Sequence, residues 1–324
     1  MKNKKNFFLH IGMHKNASTY LQEYIFEKNR LGLKNFKVFT RDSNVKIFID
    51  LIDRVVRKQI SINKGKQLIK KYTKNFQNII LSQESLLGWH FDEFKNVSIR
   101  FKILEKLFNK PNYLIVYRKQ EDFLFSLWKH RIRKGLKKNF KEFINCTNSN
   151  HNKNIEPKNF LTNYKIYDYN ILFKSYILVK KRTIFFPYER INDKIFFIKK
   201  MKEFLKIKNM NKKFNTNRKI NVSSKYELIY FFGYKNLRYI NSMILNLLKC
   251  VYLVLKSLKI ISKTNYKHEH FNKLSFAYLD IIELIFFNKI FKNGTNFLKN
   301  LEREKNIIRN YFEKKNLNFK KKIT

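Results

Sequence analysis

Cysteine is almost missing from this sequence: there are 2 among 324 residues, Cys146 and Cys250, single and far apart. That excludes a disulfide framework and a cysteine-built metal knuckle, and it makes a reducing compartment the expected setting. Glycine and proline are scarce as well, at 7 and 3. Lys, Asn, Ile and Phe are inflated along the whole chain instead, which reads as a chain-wide compositional bias. Acids are outnumbered, with 24 Asp and Glu against 70 Lys and Arg and a net charge of +46. Such a charge attracts polyanions in a salt-sensitive way. It is spread rather than clustered, however, and the basic stripe of a dedicated nucleic-acid binder is not seen, so no specific nucleic-acid partner is expected. Long uninterrupted apolar runs are also lacking. The best candidate, 240–261, is broken by Lys249, Lys256 and Lys259, and does not read as a membrane span. The basic start MKNKK precedes an apolar run too short for the core of a signal peptide. A cytoplasmic protein without a leader is expected.

What is present argues for a folded protein. A hydrophobic fraction of 44% with 33 Phe is enough for a sizeable core, despite the charge. Short, mostly apolar runs at Phe7–Gly12, Asn78–Ser82, Tyr113–Arg118 and Thr183–Pro187 read as strands buried on both faces of a parallel sheet. Helical stretches lie between them at Ser18–Lys28, Ile99–Phe108, Glu121–Lys134 and Asp193–Leu205. This alternation predicts an α/β fold, a parallel central sheet flanked by helices, with ligands at the carboxyl ends of the strands. The polar segment Asn145–Lys158 reads as a loop. From about Tyr226 the pattern is helical only. Residues 1–225 are therefore expected to form the α/β domain, and 226–324 a helical extension packing on or beside it. Apolar positions 240, 244, 247, 251, 254, 258 and 261 form a seam on one helix face, suited to packing on protein or to peripheral membrane contact.

The first strand runs into a loop of unusual composition. A phosphate loop reads G-x-x-x-x-G-K-[ST], its lysine reaching the β- and γ-phosphates and its hydroxyl holding magnesium. From Gly12 this chain reads G-M-H-K-N-A-S-T. The length is the same, but Ala17 stands at the second glycine, Ser18 at the lysine, and Lys15 has moved to the middle; only Thr19 keeps its hydroxyl. Backbone amides at a helix start can still cradle one phosphate. The triphosphate and magnesium grip is gone.

The stretch His10-Ile11-Gly12-Met13-His14-Lys15-Asn16-Ala17-Ser18-Thr19-Tyr20-Leu21-Gln22 resembles the loop of sulfotransferases that use 3′-phosphoadenosine 5′-phosphosulfate (PAPS), particularly the bacterial and carbohydrate-type branch, with Asn16 where a hydroxyl residue is usual. A second stretch, residues 113–135, looks like that family's 3′-phosphate site: an apolar strand ending in Arg118, and Ser126 eight residues later on a helix. A guanidinium fork binds a phosphate bidentately and a hydroxyl completes it. "FFPYERI" (185–191) with the helix after it, "KINVSS" (219–224) and "IIRNYFEKKNLNF" (307–319) are weaker echoes. The resemblance implies a P-loop-like sulfotransferase fold, PAPS as co-substrate without a metal, and nucleotide contacts from His14, Lys15, Asn16, Ala17, Ser18, Thr19, Arg118 and Ser126.

Sulfuryl transfer requires stabilised charge on the leaving phosphate, an in-line arrangement and removal of the acceptor proton. Lys15 suits the first task. Glu84, just past the strand ending at Ser82, is the candidate base, with His90 as the alternative; His10, on a buried strand, reads as structural. The expected acceptor is a saccharide or another hydroxylated (or amine-bearing) compound, met by the segments Arg41–Lys74, Asn139–Lys158 and 226–300. Two other readings stay open. One is a nucleotide kinase on the same fold, opposed by the displaced Lys15 and by the lack of an acidic magnesium site after a strand. The other is a catalytically inactive binder of polyanions or membranes.

Overall fold

The computed structural model describes residues 5–210, apart from 14–15, 28, 30, 34, 42–43, 89–93, 95, 134–137 and 146–160, together with residues 294–323. The 240–261 seam, the "KINVSS" segment and nearly all of the loop 145–158 lie outside the described residues.

Five parallel strands form one sheet in the order β2-β3-β1-β4-β5, with β1 at Asn6–Gly12, β2 at Phe36–Phe39, β3 at Asn78–Ser82, β4 at Asn112–Tyr117 and β5 at Thr183–Pro187. The apolar runs are continuous because alternate residues feed two cores. Phe7, Leu9, Ile11, Ile79, Leu81, Tyr113, Ile115 and Phe185 face one cluster; Phe8, Ile80, Leu114, Val116, Ile184 and Phe186 face the other. A period of two with both faces apolar is what a sheet covered on both sides demands.

Helices α2 (Lys46–Val56), α3 (Ile62–Tyr72), α4 (Val97–Leu107) and α5 (Gln120–Arg133) supply the first core. The second face is covered by α1 (Tyr20–Glu27) and by a later helix, Lys194–Leu205. α1 is wound in wide π turns. Its buried positions, Tyr20, Leu21, Tyr24, Ile25 and Phe26, recur at steps of four and five, which suits that winding better than the period of 3.6 expected over Ser18–Lys28.

Four of the five strands match the sequence expectation to within a residue. β2 was not expected, and the stretch Arg41–Lys74, expected to meet the acceptor, folds largely into α2 and α3 on the sheet. Short helices at Phe140–Ile144 (α6), Tyr169–Leu172 (α7) and Lys174–Ile177 (α8) precede β5, and Lys194–Leu205 is α9. The last helix, α10 (Gly294–Ile323), lays Leu301, Ile308, Phe312 and Phe319 into the first core. Steps of seven and four put these four residues on one stripe. Buried side chains of this size contribute about 1.5–3 kcal/mol each, so α10 is an integral wall of that core. Among the described residues, no helix is long and apolar enough to cross a membrane.

Candidate active site

β1 ends at Gly12, where a Cβ would stand 3.3 Å from the Val116 carbonyl oxygen. Glycine there lets the carboxyl ends of β1 and β4 approach closely. The chain then turns over the sheet edge. Asn16 is buried, and its Nδ2 donates to the Val116 carbonyl at 3.0 Å, so this amide ties the loop to β4. Ala17 takes φ of +59°, the left-handed conformation that a glycine adopts freely and that costs a residue with a Cβ about 1 kcal/mol. The Ala17 carbonyl accepts from the Leu21 N–H at 3.0 Å, which starts the helix. Ser18 is buried and Thr19 half-buried in its first turn. The amides of that turn therefore open onto the carboxyl edge between β3, β1 and β4, where the strand order reverses and ligands bind in open α/β sheets. His14 and Lys15, expected in this loop, lie outside the described residues.

Arg118 follows β4 directly. Its guanidinium lies 4.5 Å over the Tyr188 ring, and among the described residues it has no carboxylate partner. Stacking uses the face of the guanidinium and leaves its edge of N–H donors available for a bidentate acceptor. The turn carrying it is braced from three sides. The Glu189 carboxylate accepts from the Lys119 N–H at 2.8 Å, the Tyr169 hydroxyl donates to the Arg118 carbonyl, and Asn16 reaches β4 two residues upstream. Burial, with Glu189 adding to it, pushes the Tyr117 hydroxyl up to about 12, and burial pushes that of Tyr169 higher still. Both phenols are neutral over the physiological range. Ser126 sits half-buried on α5, with no described hydrogen bond to Arg118.

Glu84 opens a short turn, Glu84–Leu86, after β3. The Gln22 side chain, 5% exposed, donates from Nε2 to Gln83 Oε1 and to Glu84 Oε2, both at 3.3 Å. One amide on α1 thus holds a carboxylate at the end of β3. Beneath it, His10 is buried with its Nδ1 2.6 Å from Ser82 Oγ. Burial lowers the His10 pKa from 6.5 to about 4, with Glu84 opposing the shift. His10 is accordingly neutral at pH 7 and forms the floor of the site, in line with the structural role expected for it. His90 lies outside the described residues.

The sheet thus brings the Asn16–Thr19 loop, Glu84 and Arg118 to one edge through adjacent strands. Gln22 and the Tyr188–Glu189 pair were quoted in the sequence motifs without a role. Tyr169 carries no sequence signal, since its partner, the Arg118 carbonyl, lies 51 residues away along the chain.

Strand order, a left-handed residue at the glycine position of the loop and a guanidinium with an open edge among the described residues define a parallel α/β protein whose loop and arginine come together at the carboxyl edge of its central strands. No family model matches the chain, and no curated protein matches it. Among solved structures, a sulfotransferase from Alicyclobacillus acidocaldarius is similar to it, covering 71% of this chain and 91% of its own, at 16% identity and a TM-score of 0.42.

Proposed function

We propose that this protein is a PAPS-dependent sulfotransferase of the carbohydrate-type branch, moving a sulfuryl group to a hydroxyl or amine of a saccharide or related acceptor. The observation that carries the reading is Arg118: half-buried at the carboxyl edge, stacked on Tyr188 at 4.5 Å, its N–H edge uncommitted among the described residues. A surface arginine in a chain with few acids would sit in water; one held by its face beside a phosphate-type loop is built for an anion. In this reading Arg118 and Ser126 take the 3′-phosphate, and the loop Asn16–Thr19 with the helix N-terminus takes the 5′-phosphate. Lys15 follows charge onto the leaving phosphate, and Glu84, aimed by Gln22, removes the acceptor proton. Transfer breaks the S–O bond to the leaving phosphate and forms a new one to the acceptor atom, whose proton ends on Glu84. Residues 1–225 are the unit assigned to the nucleotide, with acceptor contacts assigned to the segments 139–158 and 226–300.

Thermal shift with adenosine 3′,5′-bisphosphate, ATP–magnesium and a short RNA tests the proposal. A ligand bound to the native state at one hundred times its dissociation constant stabilises by about 2.7 kcal/mol. The bisphosphate should rank first. ATP–magnesium in that place would favour a kinase, and RNA alone would favour a polyanion binder.

A further inference from the structure

The turn that carries Arg118 is gripped from two directions by the C-terminal helix. Directly, Gln120, the first residue of α5, exchanges two hydrogen bonds with Asn316 of α10: Gln120 Nε2 donates to Asn316 Oδ1 and Asn316 Nδ2 donates to Gln120 Oε1, each at 2.9 Å. Indirectly, α10 holds the segment Asp168–Asn170. Lys315 Nζ pairs with the buried Asp168 carboxylate at 2.9 Å. Asn170 Nδ2 donates to the Lys315 carbonyl at 2.8 Å, and Lys322 Nζ donates to Asn170 Oδ1 at 3.1 Å. Between these polar ties, Phe319 packs its ring against Tyr117 at 5.3 Å and Tyr169 at 5.5 Å. The Tyr169 hydroxyl then donates to the Arg118 carbonyl.

We infer that α10, through Tyr169 and Asn316, positions Arg118 and so sets the preference of the crevice for a nucleotide bearing a 3′-phosphate. This rests on the assignment of Arg118 to that phosphate. The reasoning is geometric. A bidentate fork works only when its plane is held, and the stack on Tyr188 restrains the far end of the side chain but not the backbone from which it springs. Tyr169 and Gln120 hold that backbone on either side of Lys119. Tyr169 belongs to the first core, whose wall is α10, and the buried Gln120 also donates to the Tyr167 carbonyl at 3.4 Å. Tyr169 is a positioning residue: it touches the main chain of Arg118 and keeps its proton across the physiological range, because burial holds its hydroxyl far above neutrality.

The test is calorimetric titration of the full chain with adenosine 3′,5′-bisphosphate and with adenosine 5′-monophosphate, for wild type, Tyr169→Phe, Asn316→Ala and Arg118→Ala, with melting temperatures recorded alongside. Tyr169→Phe keeps the ring packing and removes only the donor; Asn316→Ala reaches the same turn from its other end. Each is expected to weaken the bisphosphate about tenfold and the monophosphate less than twofold. If Arg118→Ala is selective for the bisphosphate while both positioning variants weaken the two nucleotides alike or not at all, the inference is overturned and the phosphate assignment stands. If Arg118→Ala itself is unselective, the assignment falls and the inference with it.

Discussion

Two arginines sit at opposite ends of the β4–β5 pair and are used in opposite ways. Arg182, just before β5, donates Nη1 to Glu105 Oε1 at 3.0 Å and to the Pro111 carbonyl at 2.8 Å, and Nη2 to Glu105 Oε2 at 2.8 Å. The Glu105 bonds raise its pKa, against a smaller opposing effect of burial, and the Tyr113 hydroxyl also donates to Glu105 at 2.9 Å. That fork is full. Arg118, just after β4, lends its face to Tyr188 and, among the described residues, leaves its edge open. The same side chain on the same pair of strands fastens helix α4 to the sheet at the amino end and, in the proposed function, meets the nucleotide at the carboxyl end. On the proposed reading, the partner set, rather than the residue type, separates a structural cation from a ligand-binding one.

If that contrast is right, changes at the carboxyl edge should cost function and changes at the amino edge should cost stability. The largest expected effect is at Glu84. Glu84→Gln keeps the acceptor of the Gln22 amide and removes the basicity, so turnover with labelled PAPS and a saccharide acceptor should fall by about 10²–10⁴, or roughly 3–5 kcal/mol of barrier. Nucleotide affinity and melting temperature should barely move; a loss below about tenfold would shift the role to His90.

His10, one layer below the crevice, tests the boundary between the two regimes. Its pKa is lowered to about 4 in the folded chain from an ordinary 6.5, so the neutral form is favoured by folding. The corresponding stability is complete above pH 6.5 and is lost as pH falls from there through 4, by about 3 kcal/mol at most. Urea melts of wild type and His10→Gln across this window should diverge in slope, the variant being the flatter; parallel curves would mean that His10 titrates normally.

At the amino end, Arg182→Ala should destabilise by about 2–3 kcal/mol, because the half-buried Glu105 carboxylate loses its cation and keeps only the Tyr113 hydroxyl, and the Pro111 carbonyl loses the Arg182 donor. The ratio of affinities for the two adenosine nucleotides should not change. A change in that ratio would break the distinction between the ends of the sheet.

Much of this was legible in the sequence, and the reasons are local. β1, β3, β4 and β5 are apolar on both faces, so short runs such as NIILS and NYLIVY declare themselves. β2 did not: FKVF is a four-residue edge strand with only Phe39 buried, and Lys37 breaks the run. The helix over 46–56 carried its signal in Phe48, Leu51, Ile52 and Val55 but lay in a stretch expected to meet the acceptor. Within the site, Gly12, Ala17, Glu84 and Arg118 were visible because each belongs to a strand end or a loop of fixed length. Gln22 on Glu84, Tyr169 on the Arg118 carbonyl and Asn316 on Gln120 are contacts across 62, 51 and 196 residues of chain respectively. No periodicity encodes such pairings.

The central claim is that the open edge of Arg118 is filled by a 3′-phosphate. Titrating wild type and Arg118→Ala with adenosine 3′,5′-bisphosphate and adenosine 5′-monophosphate tests it most directly. Wild type should prefer the bisphosphate by roughly 1.5–3 kcal/mol, about tenfold to more than a hundredfold, since a charge-assisted bond to a partly buried anion contributes on that order. Arg118→Ala should bring the two affinities together without lowering the melting temperature. Equal affinities in wild type, or a preference that survives the loss of Arg118, would contradict the account.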